Sequence, residues 1–379
     1  MQLPFIFKRK NKKGFIGVDI QLHGIAVAHI LPAEQDSRKA VLKQCAFQTF
    51  DPDDPEDILR TFKQLLSSFP VKQFACNASI SETAYELLLI DAPKVESSEL
   101  KQAVRWRIKE QLPYHIDDAV IDVFEIPGQP SNRQQLMYVV SSQQLDIDSR
   151  VLLVKQAGLN LHSIDIFELA QRNIATILPE DKEGIVMLRI NRTGGLLTIT
   201  RNGSLYLTRK IDFNIHRLRL ALEQSEVQLN DQASISADDI ELDIDETEEQ
   251  RDSAGVSAGD GVGNASGAST EENTGDSLDE EETGLSAQSK LIVDELVLEI
   301  QRSLDYYISH FNQRAVSKIV FAPMDLDVTE LIAYINDMLG VKAAVLDFND
   351  YLNLKKPLDN TTQSHCFNAV GLALRQEAD

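Results

Sequence analysis

A set of short β-strands followed by a helix occurs twice along this chain, and that repetition restricts the possible folds more than any other feature. Residues 14–31 read as two strands joined by a tight turn, and residues 41–50 read as a third strand. Apolar residues then recur at helical spacing over 58–69. The pattern restarts at 184–229, where Asn202-Gly203 is typical of a hairpin turn. We therefore predict a duplicated α/β architecture.

A smaller unit interrupts the first half, which we place at residues 14–178. The interruption covers about 92–140 and begins with a predicted helix at 97–112. Two predicted strands follow, at 117–126 and 135–141, with a polar turn between them. This order of elements predicts a small α+β subdomain inserted into the first half.

The second half, residues 179–379, contains a long acidic segment at 231–289. This segment holds 18 of the 59 Asp and Glu residues, one basic residue (Arg251) and no aromatic residue. It carries a charge of −17, so only −5 of the formal net charge of −22 belongs to the rest of the chain. Because such a composition buries too little apolar surface to offset chain entropy, we predict a disordered, solvated loop. The alternative is a specific acidic ligand. The lack of a basic excess argues against nucleic-acid binding.

Residues 1–13 form a basic arm in which Pro4-Phe5-Ile6-Phe7 precedes five cations. A secretory signal has the reverse order, and no stretch reaches the ~18 apolar residues that cross a bilayer. The arm is either solvated or in contact with an anionic membrane surface. Three widely spaced cysteines, and histidines without metal-ligand spacing, indicate free thiols, a reducing compartment and no metal site. We expect a cytoplasmic protein without a transmembrane segment.

Asp19 lies at the turn of the first hairpin, within Gly17-Val18-Asp19-Ile20-Gln21. This turn is similar to the first phosphate motif of actin-like ATPases, in which a glycine normally stands two residues after the aspartate. Glycine lets the backbone approach a phosphate and direct its N–H groups toward it. Because Gln21 occupies that position, we expect the hairpin to remain and the phosphate contact to be lost.

Five segments, in a consistent order and spacing, carry a wider family resemblance. They are Phe5-Ile6-Phe7-Lys8-Arg9-Lys10 before the first hairpin, the helix and strands of 97–140, Val154-Lys155-Gln156-Ala157-Gly158-Leu159 with Ile164-Asp165-Ile166 and Ala170, Glu299-Ile300-Gln301-Arg302-Ser303-Leu304-Asp305-Tyr306-Tyr307, and Ala369-Val370-Gly371-Leu372-Ala373-Leu374-Arg375. By these segments the chain resembles the PilM branch of the actin-like proteins, which includes the cell-division protein FtsA. It is most similar to the MshI proteins of mannose-sensitive haemagglutinin (MSHA) pilus assembly. The resemblance implies a duplicated actin-like (RNase H-like) ATPase fold with a small α+β subdomain inserted at about 92–140.

The nucleotide motifs of that family are altered in this chain. The second phosphate motif, normally Asp-Ile-Gly, reads Arg189-Ile190-Asn191, and the adenosine motif, normally Ser-Gly-Gly, corresponds to Phe321-Ala322-Pro323-Met324. Asp19 plainly remains, either to order water around magnesium as in the family or simply to cap the turn. Arg189 either contacts a phosphate or pairs with Asp19. We therefore interpret Asp19, Gln21, Arg189 and Asn191 as a degenerate nucleotide site, a pseudo-ATPase for which no cofactor is expected. Bound ATP with magnesium is the alternative.

The resemblance further implies that the mechanism is binding. PilM-like proteins hold the cytoplasmic tail of an inner-membrane partner of the PilN class. We expect a cytoplasmic scaffold, peripheral at the inner-membrane pilus assembly complex, which reaches other platform proteins and motor ATPases indirectly. Candidate partner contacts are Arg105, Arg107 and Lys109 on the subdomain helix, where a solvated face is the other interpretation. Two further alternatives are an ATP-binding switch or weak ATPase of the same machine, and a type II secretion platform protein, in which a transmembrane segment should follow the fold.

Overall fold

The computed structural model describes residues 14–33, 39–96, 98–129, 134–223 and 285–375. The first half consists of β1 (Phe15–Ile20), β2 (Gly24–Leu31), β3 (Val41–Thr49), α1 (Pro55–Leu66), β4 (Ala75–Ser79), β5 (Tyr85–Asp91), α2 (Leu100–Ile108), β6 (Ala119–Glu125), β7 (Leu136–Gln143), α3 (Gln144–Gln156), β8 (Asn160–Asp165) and α4 (Phe167–Ala175). The second half consists of β9 (Ile185–Ile190), β10 (Gly195–Arg201), β11 (Ser204–Ile211), α5 (described over 215–223), α6 (Ala287–Phe311), β12 (Lys318–Phe321), α7 (Thr329–Leu339), β13 (Ala343–Val345), α8 (Phe348–Tyr351), β14 (Asn353–Leu354) and α9 (Asn360–Ala373).

Two mixed sheets with matching strand order form the two halves. The first has the order β14-β3-β2-β1-β4-β8, and the second has the order β11-β10-β9-β12-β13. In each sheet an antiparallel meander of three strands is extended by parallel strands beside its first strand. Parallel neighbours require long crossover connections, and these carry the helices. The predicted duplication is therefore confirmed by the topology.

Strand β2 shows why the first hairpin reads as apolar on both faces. Ala26, Ala28 and Ile30 pack in the cluster that contains α9, whereas Ile25 and Val27 pack in the cluster that contains α1. A strand covered on both sides shows no polar alternation, which is usual for sheets that have helices on each face.

Helices α4 and α9 each pack on the sheet of the other half and so join the two halves. Helix α4 belongs to the first half but packs on β10 and β11, whereas α9 belongs to the second half but packs on β1 and β2. The two helices cross at Gly371, where an added Cβ would lie 2.3 Å from the backbone oxygen of Ala170. Asn173 of α4 donates from Nδ2 to the Gly371 oxygen at 3.0 Å. Only a residue without a side chain allows this approach.

The inserted subdomain is a three-stranded antiparallel sheet, β5-β7-β6, with α2 packed on one face. The predicted bounds of 92–140 are wrong, because strand β5 pairs with β7 along its whole length and β7 continues to Gln143. Strand β5 was not predicted from the sequence, because it has no adjacent hairpin partner and pairs with β7 only across the intervening α2 and β6. Both of its faces are apolar. Leu88 and Ile90 face α2, whereas Leu87 and Leu89 pack against the core of the second half.

The acidic segment was predicted to extend to residue 289, and this boundary is wrong because helix α6 begins at Ala287. Ser286 caps the helix by accepting the Ser289 N–H at 3.0 Å, and Ser289 Oγ donates to the Ala221 oxygen at 2.5 Å. Leu285 is also buried in the core of the second half. The rest of that segment, 231–284, and the basic arm, 1–13, lie outside the described residues. Within the described ranges, no helix combines the length and apolar character needed to cross a bilayer.

Candidate functional site

Asp19 is completely buried at the end of β1, between β4 and α9. Its Oδ1 accepts a hydrogen bond from Ser79 Oγ at 2.7 Å, and its Oδ2 accepts from Gln21 Nε2 at 3.0 Å and from Asn368 Nδ2 at 3.2 Å. Ser79 ends strand β4, and Asn368 lies on α9. The carboxylate therefore holds three elements together, and both of its oxygens are occupied by protein donors.

Gln21 closes the turn at the predicted phosphate-contact position. Its backbone N–H donates to the Gly24 oxygen at 2.9 Å, and its Nε2 also donates to the His365 oxygen at 2.9 Å. The His365 ring stacks on Phe47, with centroids 3.9 Å apart and an interplanar angle of 2°. Burial lowers the pKa of His365, so this ring is neutral at pH 7. Through these contacts helix α9 packs against the turn of the first hairpin.

Arg189 does not pair with Asp19, and that alternative is wrong. Its guanidinium lies 3.7 Å from the Glu82 carboxylate and 5.8 Å from the centre of the Phe167 ring. The side chain is only 16% exposed, because it packs between Glu82, which lies just before β5, and Phe167 of α4. In this position Arg189, which belongs to the second half, contacts two residues of the first half and so contributes to the junction between them.

Arg150 of α3 is a cation whose charge interacts with that of Asp19. Burial lowers the pKa of Arg150, and the negative charge of Asp19 opposes that shift. Its Nη1 is buried and has no hydrogen-bond partner among the described residues. Sequence reasoning missed Arg150 because it belongs to no motif and lies 131 positions beyond Asp19. Its location on a helix that directly follows the inserted subdomain was the available signal.

Asn191 shapes the turn between β9 and β10. Its Oδ1 accepts from the backbone N–H groups of Thr193 at 2.8 Å and Gly194 at 3.0 Å, and from Thr193 Oγ1 at 2.7 Å. This is an Asx turn, in which an Asn side chain satisfies the backbone locally. Gly194 has φ of +154°, and its backbone oxygen accepts the Asn191 N–H at 2.8 Å. Asn191 thus uses its oxygen for the hairpin.

The segment at the adenosine position forms a buried turn after β12. Ala322, Pro323 and Met324 are all buried, and Met324 packs in the apolar core of the second half. The Ala322 N–H donates to the Leu188 oxygen at 2.8 Å, and Pro323 has no N–H to offer. Side chains fill the place where the family motif has glycines.

The three predicted partner cations, Arg105 and Arg107 on α2 and Lys109 directly after it, have different surroundings. Arg105 is tied to its own subdomain, since Nη2 donates to the Ile116 oxygen at 2.6 Å and Nη1 donates to the Ala119 oxygen at 3.2 Å. Its guanidinium also lies 3.6 Å from the Asp117 carboxylate. Arg105 therefore holds the turn before β6 onto α2.

Arg107 and Lys109 face outward beside the single tryptophan. Arg107 Nη1 donates to the Asp91 oxygen, at the end of β5, at 2.6 Å. The Lys109 ammonium lies 6.0 Å from the centre of the Trp106 ring. Trp106 is 72% exposed, unlike the packing residue that a lone tryptophan on an amphipathic helix usually is. The surface therefore combines a bare aromatic ring with two cations.

Two adjoining cavities share Arg107 as a wall, and we call them together the Arg107 groove. The cavity of about 390 Å³ is also lined by Leu89, Ile90, Asp91, Gln111, Leu136, Tyr306 and His310. The cavity of about 620 Å³ is also lined by Ala92, Pro93, Lys94, Ala103, Trp106 and Gln134. Tyr306 and His310 were missed by sequence reasoning because they lie on α6, in the other half of the chain. Within the described ranges, no group of three or more His, Cys, Asp and Glu side chains is placed to bind a metal ion.

Comparisons with known proteins identify the fold. No family model matches the chain, and no curated protein matches it. A solved PilM-PilN type IV pilus biogenesis complex superposes with a TM-score of 0.62 at 16% identity, covering 95% of this chain and 98% of that chain. The chain has an actin-like fold. Weaker similarities include the cytoplasmic domain of EpsL, an inner-membrane component of the type II secretion system of Vibrio cholerae (TM-score 0.37, 12% identity, covering 55% of this chain and 74% of that chain). Another is the ethanolamine utilization protein EutJ from Carboxydothermus hydrogenoformans (TM-score 0.41, 10% identity, covering 95% of this chain and 88% of that chain).

Proposed function

We propose that this protein is a cytoplasmic scaffold of a type IV pilus assembly platform of the MSHA (MshI) type. It binds the cytoplasmic tail of an inner-membrane PilN-like protein and so lies at the inner membrane without spanning it. The observation that carries this proposal is the Arg107 groove on the inserted subdomain, where the family resemblance implies a partner site. The solved PilM-PilN complex, which shares the fold, supports the class of partner.

The chemistry of the groove suits a protein ligand. A tryptophan left 72% exposed is characteristic of binding surfaces, because Trp and Arg dominate the energetics of protein interfaces. Arg107 and Lys109 both follow Trp106 closely in the chain and supply charge next to the apolar contact. Arg105, by contrast, is engaged by backbone oxygens of its own subdomain. We assign it to support of the groove and not to contact with the partner.

We also propose that the cleft at Asp19 is a pseudo-ATPase site that binds neither ATP nor magnesium. Three protein donors occupy the Asp19 carboxylate, and buried side chains fill the adenosine position. The residues present therefore do not fit the nucleotide that the fold family implies. In this proposal the cleft serves as the fixed junction of the two halves, and no chemical step takes place in it.

Isothermal titration calorimetry with the full chain tests the partner. The probe is a synthetic peptide of the cytoplasmic tail of the PilN-like protein encoded by the same organism. Trp106→Ala and Arg107→Ala should each weaken binding by about 1–3 kcal/mol, as expected for interface anchors. Leu145→Ala is the matched control, because Leu145 is also 72% exposed but lies on α3. Absence of binding to the wild-type chain, or an equal loss in Leu145→Ala, would overturn the proposal.

A further inference from the structure

The open edge of strand β5 forms the floor of the smaller cavity in the Arg107 groove. Strand β5 is the outer strand of the subdomain sheet and pairs only with β7 among the described residues. The Ala92 N–H donates to the Gln135 oxygen at 2.7 Å, which makes Ala92 and Gln135 a hydrogen-bonded pair. In an antiparallel ladder such pairs alternate, so Leu88 and Ile90 also point their backbone groups at β7. Leu87, Leu89 and Asp91 consequently direct theirs away from the sheet.

A contact on Asp91 independently supports this orientation. Its backbone oxygen accepts the hydrogen bond from Arg107 Nη1, and Arg107 lies outside the sheet. Within the described part of the chain, no side chain or loop backbone hydrogen-bonds to the backbone groups of Leu87 and Leu89. An edge strand with such free donors and acceptors is a template for another strand.

Side chains of α2, of the turn after it and of α6 line the cavity beside this edge. Arg107 and Gln111 stand on the α2 side, and Tyr306 and His310 of α6 stand on the opposite side. Leu89 and Ile90 of the edge strand itself lie at the floor of the same cavity. The open edge therefore lies at the floor of a cavity with side chains on both sides, a setting in which backbone pairing supplies affinity and the walls select side chains.

We infer that the partner tail adds to the subdomain sheet as a fourth strand, paired with the outward backbone groups of Leu87 and Leu89 on the edge of β5. This inference rests on the proposed function and specifies its binding mode. The occupant is an extended segment of the membrane partner, with apolar side chains toward the Tyr306 wall. Lys94 and Arg107, which line the adjoining cavity, favour a carboxylate on the segment as it leaves the smaller cavity.

The test is an N-methyl scan of the tail peptide, titrated calorimetrically into the full chain. In a paired strand only alternate residues point their N–H groups at the neighbour. Methylation at every second position of a run should therefore weaken binding about fivefold or more, and the intervening positions should change it by less than about twofold. If the unmethylated peptide binds but the losses do not alternate, strand addition is wrong and the partner assignment stands. If the unmethylated peptide does not bind, the proposed function itself fails.

A pair of protein variants examines the same hydrogen bond from the other side. Leu89→Pro removes the outward N–H, a change that edge strands tolerate because the ladder to β7 is untouched. Leu89→Ala is the control, since it truncates the side chain and keeps the N–H. Weaker binding by Leu89→Pro than by Leu89→Ala, about fivefold or more, is expected. Equal affinities would overturn the pairing. Should the proline variant not fold, the peptide scan decides alone.

Discussion

Replacement of Asp19 by alanine distinguishes a structural junction from a nucleotide site. In the wild type, the Asp19 carboxylate accepts from Ser79, Asn368 and Gln21, and the first two donors are both 1% exposed. Asp19→Ala leaves the Ser79 hydroxyl and the Asn368 amide buried without this acceptor. Gln21 keeps its bond to the His365 oxygen and is only partly buried, so we expect it to contribute little.

The expected magnitude follows from those two donors. An unsatisfied buried donor costs about 1–3 kcal/mol, and relief of the desolvated charge returns a part of that, so Asp19→Ala should destabilise the fold by about 2–4 kcal/mol. Asp19→Asn keeps the size of the side chain but replaces one acceptor oxygen by a donor. It should lose roughly 1–2 kcal/mol, because at least one of the two buried bonds cannot form.

Urea unfolding followed by far-UV circular dichroism measures both variants. Asp305→Ala serves as the control, because Asp305 is exposed on α6 and its replacement should change the unfolding free energy by less than about 0.5 kcal/mol. A change that small for Asp19→Ala would refute the junction. The same melts with ATP and magnesium provide the second readout, since ligand at a hundred times its Kd stabilises by about 2.7 kcal/mol. Stabilisation of the wild type that Asp19→Ala abolishes would establish the nucleotide switch instead.

Three other perturbations address the crossing, the acidic segment and a buried carboxyl. Gly371→Ala should destabilise by about 1–3 kcal/mol in the same urea melts, because the added Cβ collides with the Ala170 backbone oxygen 2.3 Å away; a gain from helix propensity would contradict this. Deletion of 231–284 should leave a soluble chain with an unchanged thermal midpoint, whereas deletion of 231–289 should lower it by removing the buried start of α6; equal midpoints would refute the boundary. Burial raises the pKa of Glu168, so its contribution to stability is present below about pH 4.3 and is lost as pH rises through the raised pKa. Glu168→Gln should remove that component from urea melts taken between pH 4 and pH 7, and an unchanged profile would disprove it.

Local sequence patterns were enough to predict most of the strands and helices of the fold. The meanders at β1–β3 and β9–β11 were predictable because short apolar runs separated by turn residues are signals that span only a few positions. The long helix α6 was predictable because its buried stripe repeats at helical spacing. Strand β5 was not, because its pairing partner β7 follows only after α2 and β6, so no adjacent hairpin marks β5 in the sequence.

For the cleft at Asp19, too, some features were predictable from the sequence and others were shown only by the structure. The missing glycine at Gln21 and the bulky Met324 were visible in the sequence and indicated that the nucleotide motifs had changed. The sequence did not show which side chains contact Asp19 in the altered site. Asp19 is satisfied by Ser79 and Asn368, which are 60 and 349 positions away. Arg150 is a cation whose charge interacts with that of Asp19, whereas Arg189 lies beside Glu82. Hydrogen bonds and charges act over a few ångströms in space, so their partners are set only when the chain is folded.

By itself, the sequence determined the duplicated α/β plan, the inserted unit, the acidic composition of 231–289 and the altered nucleotide motifs. Each of these is a property of composition or of short-range periodicity. The tertiary structure alone decided that Arg105 turns inward, that Arg107 borders a groove and that Tyr306 of the other half forms its far wall. It also decided that, among the described residues, no strand pairs with the outer edge of β5, because the neighbours of an edge are set only by the folded arrangement.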